Sequence, residues 1–305
     1  MKSGFVTILG RPNVGKSSLM NALIGEKVSI VSPKAQTTRD RVNGILTTSE
    51  YQMVFVDTPG VHKPRTKLGE YMDKCVKGAT DGVDAVVIVL DATKKIVDGD
   101  FAFIEKYLKG SAPVYVAVNK VDAVGYDKVY PLLEKLSPLM TKNEDRNGIV
   151  EIVPISAKKG KNIEVLKNYL VAELKDGPCY YPEDEITDKS ERYMICEIVR
   201  EKALLFLNDE IPHGIGVSIS NMCYDEYGTA KIFVDITCER DSHKSIIIGA
   251  GGEKLKMIAE RSRKEIERML DCKVYMELFV KVRTDWRNDG LVLSDIGYDA
   301  RKLKK

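Results

Sequence analysis

Short apolar runs recur through the first half of the chain: FVTILG (5–10), QMVFVD (52–57), AVVIVLD (85–91), VYVAVNK (114–120) and VEIVPIS (150–156). Their β-branched, nearly continuous apolar character predicts strands buried on both faces. Helical patterns fall between most of them, at 16–24, 99–109 and 128–140. This βα alternation predicts an α/β fold with an open, mostly parallel sheet and helices on both faces. RVNGILTTSE, just before the second run, predicts an antiparallel hairpin at the sheet edge.

The pattern breaks at KDGPCYYPEDEITDKSE (175–191), which holds a glycine, two prolines and an acidic cluster. We read residues 1–175 as one domain, 176–190 as a linker and 191–305 as a second domain with a C-terminal tail. The second part opens on a helical pattern at 191–207. Two β-rich runs follow at 214–224 and 230–240, then the apolar run SIII and glycines, a charged helix at 253–270 and a strand at 274–282. That order predicts a compact α+β unit. No internal repeat or low-complexity segment is visible.

The first chemistry lies between the first strand and the first helix. GRPNVGKS places Gly10, Arg11, Pro12, Asn13, Val14, Gly15, Lys16 and Ser17 in the order of a phosphate-binding loop. Glycines let the backbone wrap an anion and aim its N–H groups inward. Lys16 would reach the β- and γ-phosphates and Ser17 would put its hydroxyl on Mg²⁺.

Three further motifs end predicted strands, where open α/β sheets bind ligands. Asp57 is followed by Thr58, Pro59, Gly60 and Val61; its carboxylate can hold the Mg²⁺ shell, and Gly60 can offer an N–H to a γ-phosphate. In NKVD, Asp122 can accept from the N1–H and exocyclic amine of guanine, which adenine cannot supply, while Asn119 and Lys120 brace the base and its loops. In SAK (Ser156, Ala157, Lys158), the Ala157 backbone can meet the guanine O6.

These motifs in this order resemble GTPases of the translation-factor-related class. The resemblance implies that AQTTRDR is switch I, with Gln36, Thr37, Thr38, Arg39 and Asp40, and that Thr38 is the Mg²⁺ ligand, with Thr37 the nearby alternative.

In the second half Gly249, Ala250, Gly251 and Gly252 form a G-x-x-G before a helix, the loop by which KH domains clamp single-stranded RNA. The helix N-terminus favours phosphate. The Ile246–Ile248 run, with Ile248 beside the loop, is expected to floor the site, and Lys244, Lys254 and Lys256 to attract the backbone. Trp286 is a candidate for stacking on a base, and equally for packing. The loop centre, Ala250-Gly251, lacks the lysines often found there.

Together the two halves resemble the Era family of bacterial GTPases over nearly the whole chain. The resemblance implies a type II KH domain, GTP and GDP as ligands with Mg²⁺, and hydrolysis of GTP. It also implies the 3′ end of 16S ribosomal RNA and the 30S subunit as partners, in small-subunit assembly.

Composition adds limits. Charged residues are 30% and hydrophobic ones 44%, as in soluble globular chains. Residues 240–305 carry 16 Lys/Arg against 11 Asp/Glu, while the rest carries 31 against 34, so the basic excess sits where a polyanion is expected. Six cysteines without a C-x-x-C and three histidines argue against zinc. Several cysteines fall in apolar segments, as buried thiols of a reducing cytoplasm do. No signal peptide or membrane-spanning run is expected, and a monomer is. The run ARKLKK permits peripheral contact with the inner face of the cell membrane.

Hydrolysis raises one question. Val61 follows Gly60 where many related sites place a water-orienting glutamine, and an isopropyl group cannot orient water. His62 is a loop residue beside it. Asn13 occupies the position that in related GTPases helps hold a monovalent cation, so K⁺ is a candidate cofactor; an asparagine there also serves simply to shape the loop. The readings are a slow GTPase switch, an RNA-binding assembly protein whose nucleotide site does not hydrolyse, and a membrane-associated cell-cycle GTPase.

Overall fold

The computed structural model describes residues 1–34, 36–60, 64–140, 148–208 and 211–301. The chain divides into two compact units. One gathers Met1–Val31, Thr38–His62 and Cys75–Asp188; the other Ser32–Thr37, Lys63–Lys74 and Lys189–Lys305.

The first unit is built on β1 (Lys2–Leu9), β2 (Val42–Thr47), β3 (Tyr51–Asp57), β4 (Ala85–Asp91), β5 (Val114–Asn119), β6 (Ile149–Pro154) and the short β7 (Lys175–Asp176). The sheet order is β2-β3-β1-β4-β5-β6, with β7 antiparallel to the start of β1. β1 runs parallel to β3 and β4, and β4-β5 and β5-β6 are parallel. β2 is the antiparallel edge of the expected hairpin. All seven residues of β4 are buried, as an apolar run covered on both faces requires. Helices α1 (Lys16–Ile24), α3 (Asp98–Leu108), α4 (Tyr126–Leu136) and α5 (Ile163–Glu173) connect the strands, while α2 (Lys67–Lys77) spans the division between the units.

The acidic, proline-containing stretch after β7 is laid along this unit. Gln52, buried in β3, accepts from the Tyr180 and Tyr181 N–H groups (2.7 and 3.0 Å) and donates to the Tyr181 carbonyl (2.8 Å). The Phe5 and Tyr180 rings lie 4.7 Å apart. The Ile45 N–H donates to Ile186 and the Asn43 N–H to Asp188.

The second unit contains α6 (Glu191–Phe206), β8 (Gly216–Tyr224), β9 (Ala230–Cys238), α7 (Asp241–Ile248), α8 (Glu253–Leu270), β10 (Val274–Val282) and α9 (Gly290–Ile296). β10 is parallel and β8 antiparallel to the central β9. Alternate β9 residues, Ala230, Ile232, Val234, Ile236 and Cys238, form a core with Ile195, Val199 and Ala203 of α6 and Ile258 and Ile266 of α8. The α-β-β-α-α-β order of α6 to β10 is that of a type II KH domain. The sequence pattern assigns no element to the apolar run ending in Ile246–Ile248, which is the last turn of α7. A four-residue apolar run is too short to reveal its period, so strand and helix were indistinguishable there.

Candidate functional site

The loop from Gly10 to Ser17 wraps the gap between β1 and α1. Gly15, at φ 99°, carries the chain into α1, and a Cβ there would lie 2.3 Å from Asn119 Nδ2. Asn13 also adopts a positive φ of 64°. Lys16 is buried beneath this loop, its ammonium donating to the Gly10 and Arg11 carbonyls (3.3 and 3.2 Å). Burial pulls its pKa down, opposed by the nearby Asp57 carboxylate.

Asp57, at the end of β3, is the centre of an oxygen cluster. Its Oδ2 accepts from Ser17 Oγ (2.7 Å), Ser29 Oγ (3.1 Å) and Thr38 Oγ1 (3.3 Å), and the Ser17 and Thr38 hydroxyls are 2.8 Å apart. Its Oδ1 is buried without a hydrogen-bond partner among the described residues. Burial pushes this carboxyl up, opposed by Lys16 and the three hydroxyls. Two hydroxyls and a carboxylate with an unsatisfied oxygen form a hard-donor set that fits Mg²⁺.

The two threonines of the segment expected to be switch I are distinguished by their partners. Gln36, at φ 58°, turns the chain, and Thr37 Oγ1 donates to the Lys34 carbonyl at 2.7 Å, so it closes its own loop. Thr38 faces Asp57. Arg39 and Asp40 are buried, and Asp40 Oδ1 accepts from the Arg41 N–H (2.8 Å). Thr58 is buried with its hydroxyl on the Ile8 carbonyl (3.1 Å), and Pro59 and Gly60 are buried too. Val61 and His62, on which the question of water positioning falls, lie outside the described residues.

The motifs expected to recognise the base meet at the ends of β5 and β6. Asn119 Nδ2 donates to the Val14 carbonyl (2.9 Å), and its Oδ1 accepts from the Ala157 N–H (3.0 Å). The N–H expected to meet a guanine O6 therefore already has an acceptor here. Ser156 Oγ donates to Asp122 Oδ1 (2.6 Å) and fixes that carboxylate. Lys120 Nζ bridges the Asn13 carbonyl (2.6 Å) and Asp91 Oδ2 (2.7 Å). Lys158 is exposed on the adjoining turn.

Sequence reasoning missed Asp91 and Ser29. Asp91 ends β4, so its place at a strand terminus was an available signal. Burial opposes its ionisation, but Lys120 and Thr93 outweigh it and lower its pKa. Ser29 had no local signal. It is brought to Asp57 by Asn21 of α1, whose side chain accepts from the Val28 and Ser29 N–H groups (3.0 and 2.9 Å) and donates to the Ser29 carbonyl (2.7 Å).

In the second unit Gly249 ends α7 at φ 77° and ψ 173°, where a Cβ would meet Lys254 Cβ at 2.8 Å. Gly251 and Gly252 also have positive φ, and Gly252 leads into α8. Ala250, Gly251 and Lys256 are exposed, and Lys244, Ile248, Gly249, Gly252 and Lys254 are half-buried. The expected apolar floor is divided, because a helix turns its successive residues to different sides: Ile247 is in the core, while Ile246 is exposed. Trp286 is no stacking platform. It is fully buried and its Nε1–H donates to the Gly214 carbonyl at 2.9 Å.

Residues 5–120 match the family described as "50S ribosome-binding GTPase", and residues 210–287 the KH domain family. GTPase Era of Clostridium beijerinckii is 50% identical over 303 residues, 99% of either chain, and that of Clostridium botulinum (strain Okra) is 49% identical over the same length. Among solved structures, Era in complex with MgGDPNP and nucleotides 1506–1542 of 16S ribosomal RNA is 38% identical with a TM-score of 0.91, covering 98% of this chain and 99% of that one. An Aquifex aeolicus Era variant bound to GDP.AlF4⁻ is 39% identical, also at 0.91, with 98% and 100% covered. With the four nucleotide motifs at their strand ends, a type II KH topology later in the chain and half of all positions shared end to end, the chain belongs to the Era family of GTPases.

Proposed function

We propose that this chain binds GTP and GDP at the ends of β1, β3, β5 and β6, hydrolyses GTP, and engages the 3′ end of 16S ribosomal RNA through the Gly249–Gly252 loop during assembly of the 30S subunit. The observation that carries the nucleotide half is the convergence of Ser17, Thr38 and Asp57 in front of the buried Lys16. The solved Era complex with MgGDPNP and 16S nucleotides supports both halves.

Ser17, Thr38 and Asp57 would hold Mg²⁺, which when bound supplies positive charge against the phosphate oxygens. Lys16 would exchange the Gly10 and Arg11 carbonyls for β- and γ-phosphate oxygens. A water oxygen then bonds to the γ-phosphorus as the bond to the bridging oxygen breaks. GDP departs with that electron pair, and the proton of the water passes to phosphate or solvent. With valine at position 61, water is positioned by backbone N–H groups such as Gly60 and by an ordered switch I. Asn13 is the residue proposed to bring K⁺ to the phosphates. Asp122, steadied by Ser156, selects guanine.

The cytoplasm, where ribosomal subunits assemble, is the compartment of this proposal. No helix among the described residues is long and apolar enough to cross a membrane. Single-turnover release of phosphate from GTP, with Lys16→Ala as control, tests the chemistry; absence of turnover in the wild type would favour a site that only binds. Asp122→Asn should shift preference from guanosine to xanthosine nucleotides, and retained GTP selectivity would overturn the base-recognition reading.

A further inference from the structure

Arg200 lies in the middle of α6, 1% exposed, in a helix remote in sequence from the nucleotide motifs. A buried guanidinium is expensive unless each of its donors is answered. Here Nε donates to Glu197 Oε1 at 2.7 Å and Nη2 to Glu197 Oε2, one turn earlier on the same helix. Nη2 also donates to the main-chain carbonyl of Thr37. Nη1 is buried without a partner among the described residues. Burial would pull the pKa of this group down, but Glu197 and the neighbouring Tyr298 and Tyr193 raise it, so the charge is held.

The acceptor is informative. Ser32–Thr37 packs with the second unit, whereas Thr38 belongs to the first. Within the segment, Thr37 Oγ1 donates to the Lys34 carbonyl and the Lys34 N–H to Ser32 Oγ (3.2 Å), so the loop closes on itself. Its last carbonyl, that of Thr37, is given to Arg200. That carbonyl and the Thr38 N–H share one planar peptide unit. Fixing the carbonyl fixes where the Thr38 backbone starts, and hence where its hydroxyl stands against Ser17 and Asp57.

We propose that Arg200, clamped by Glu197, is a positioning residue for Thr38, setting the strength with which the triphosphate-bound protein retains Mg²⁺. This rests on the reading of Ser17, Thr38 and Asp57 as the Mg²⁺ set. Switch I of GTPases is ordered by contacts to the γ-phosphate and Mg²⁺, so the effect belongs to the triphosphate state. A diphosphate, which lacks the γ-phosphate, is held without it.

The test measures release of fluorescent GDPNP and GDP analogues from the full chain across a Mg²⁺ titration. Arg200→Lys keeps the charge but lacks the planar fork that holds Glu197 through two nitrogens while Nη2 reaches Thr37. The paired variant Glu197→Leu/Arg200→Met removes both charges, so that neither is left buried alone. Lys202→Met is the control, since Lys202 pairs with Glu201 and Glu265 on α6 and α8 and not with switch I. Both Arg200 variants should raise the Mg²⁺ concentration for half-maximal retention of the GDPNP analogue by about tenfold, the worth of one hydrogen bond from a charged donor. Release of the GDP analogue, release of the GDPNP analogue in EDTA and the Lys202→Met curve should match wild type. A wild-type curve that ignores Mg²⁺ would overturn the metal reading itself. A wild-type curve that responds, with Arg200 variants superimposed on it or shifted equally for both nucleotides, would overturn the role of Arg200.

Discussion

Asp91 offers a quantitative test of how the guanine side of the site is held. Asp91→Asn is nearly isosteric. Its amide oxygen can keep the Thr93 N–H and hydroxyl (3.0 and 2.7 Å), but its NH₂ replaces the oxygen that accepts from Lys120 Nζ. The side chain of Asp91 is 2% exposed and that of Lys120 35%. An exposed pair contributes about 0.2–1 kcal/mol, and a hydrogen bond to a charged group about 1.5–3 kcal/mol. With one partner buried and the other a third in water, we expect a loss of about 1–2 kcal/mol. Lys120 also donates to the Asn13 carbonyl, so the loss extends to the phosphate loop. If all of it appears in binding, GDP affinity falls by about 5- to 30-fold.

The assay is a double-mutant cycle, Asp91→Asn with Lys120→Met, read by stopped-flow release of a fluorescent GDP analogue. A coupling of about 1 kcal/mol or more is expected. A coupling below about 0.3 kcal/mol would refute the bridge, since distant independent sites add that well. The pH dependence supplies a second check. The carboxyl of Asp91 is lowered from its ordinary 3.8. A lowered carboxyl contributes stability that is present above the unfolded value and lost as pH falls through the folded one. Asp91→Asn should therefore cost most at neutral pH, and least once the pH is below both values.

Ser29→Ala should destabilise the ligand-free protein by about 1–2 kcal/mol, because a donor to a buried carboxylate is lost. The Asp57 carboxyl is already pushed up by burial, and a group of that kind loses stability as pH rises through its folded value. The deficit should thus grow from acid to neutral pH in urea unfolding, and a pH-independent deficit would count against it. Asn13→Ala should abolish any excess of GTP turnover in KCl over NaCl; equal rates in both salts for both proteins would remove the cation proposal. For the loop proposed to bind RNA, Ala250→Lys should tighten binding of a 16S 3′-end oligonucleotide and steepen its log–log salt slope by about 0.7, with Ala250→Asp acting oppositely. Gly249→Asp is the poorer probe, as its Cβ collides with Lys254 and mixes backbone strain with charge. Unchanged affinity in both Ala250 variants would place the RNA elsewhere.

What was legible in the sequence was what is local. The parallel strands of the first sheet are apolar runs, the motifs at 10–17, 57–60, 119–122 and 156–158 sit at the ends of four of them, and the glycines mark where the chain must turn. Gly15 and Gly249 could be read because their reason is a backbone conformation that a motif of a few residues already encodes. Trp286 could not, since its burial depends on the Gly214 carbonyl, 72 residues away. A buried tryptophan of this kind costs about 3–5 kcal/mol when truncated, which is a reason for the residue independent of any base.

The same distinction separates the two threonines of the segment proposed as switch I. A motif puts two hydroxyls side by side and both are competent to bind a metal. They differ in their surroundings: a left-handed Gln36 stands before them, a carbonyl of Lys34 satisfies the Thr37 hydroxyl, and Arg200, 163 residues further along the chain, takes the Thr37 carbonyl. Ser29 and Asp91 enter the site in the same way, through Asn21 and Lys120. Phosphate-binding chemistry needs backbone N–H groups and one lysine at fixed spacing, which a continuous segment can supply. A carboxylate that must stay ionised while buried needs donors from several directions, and those converge only once the sheet has formed. The Mg²⁺ side of such a site is therefore the part that a sequence motif names least completely.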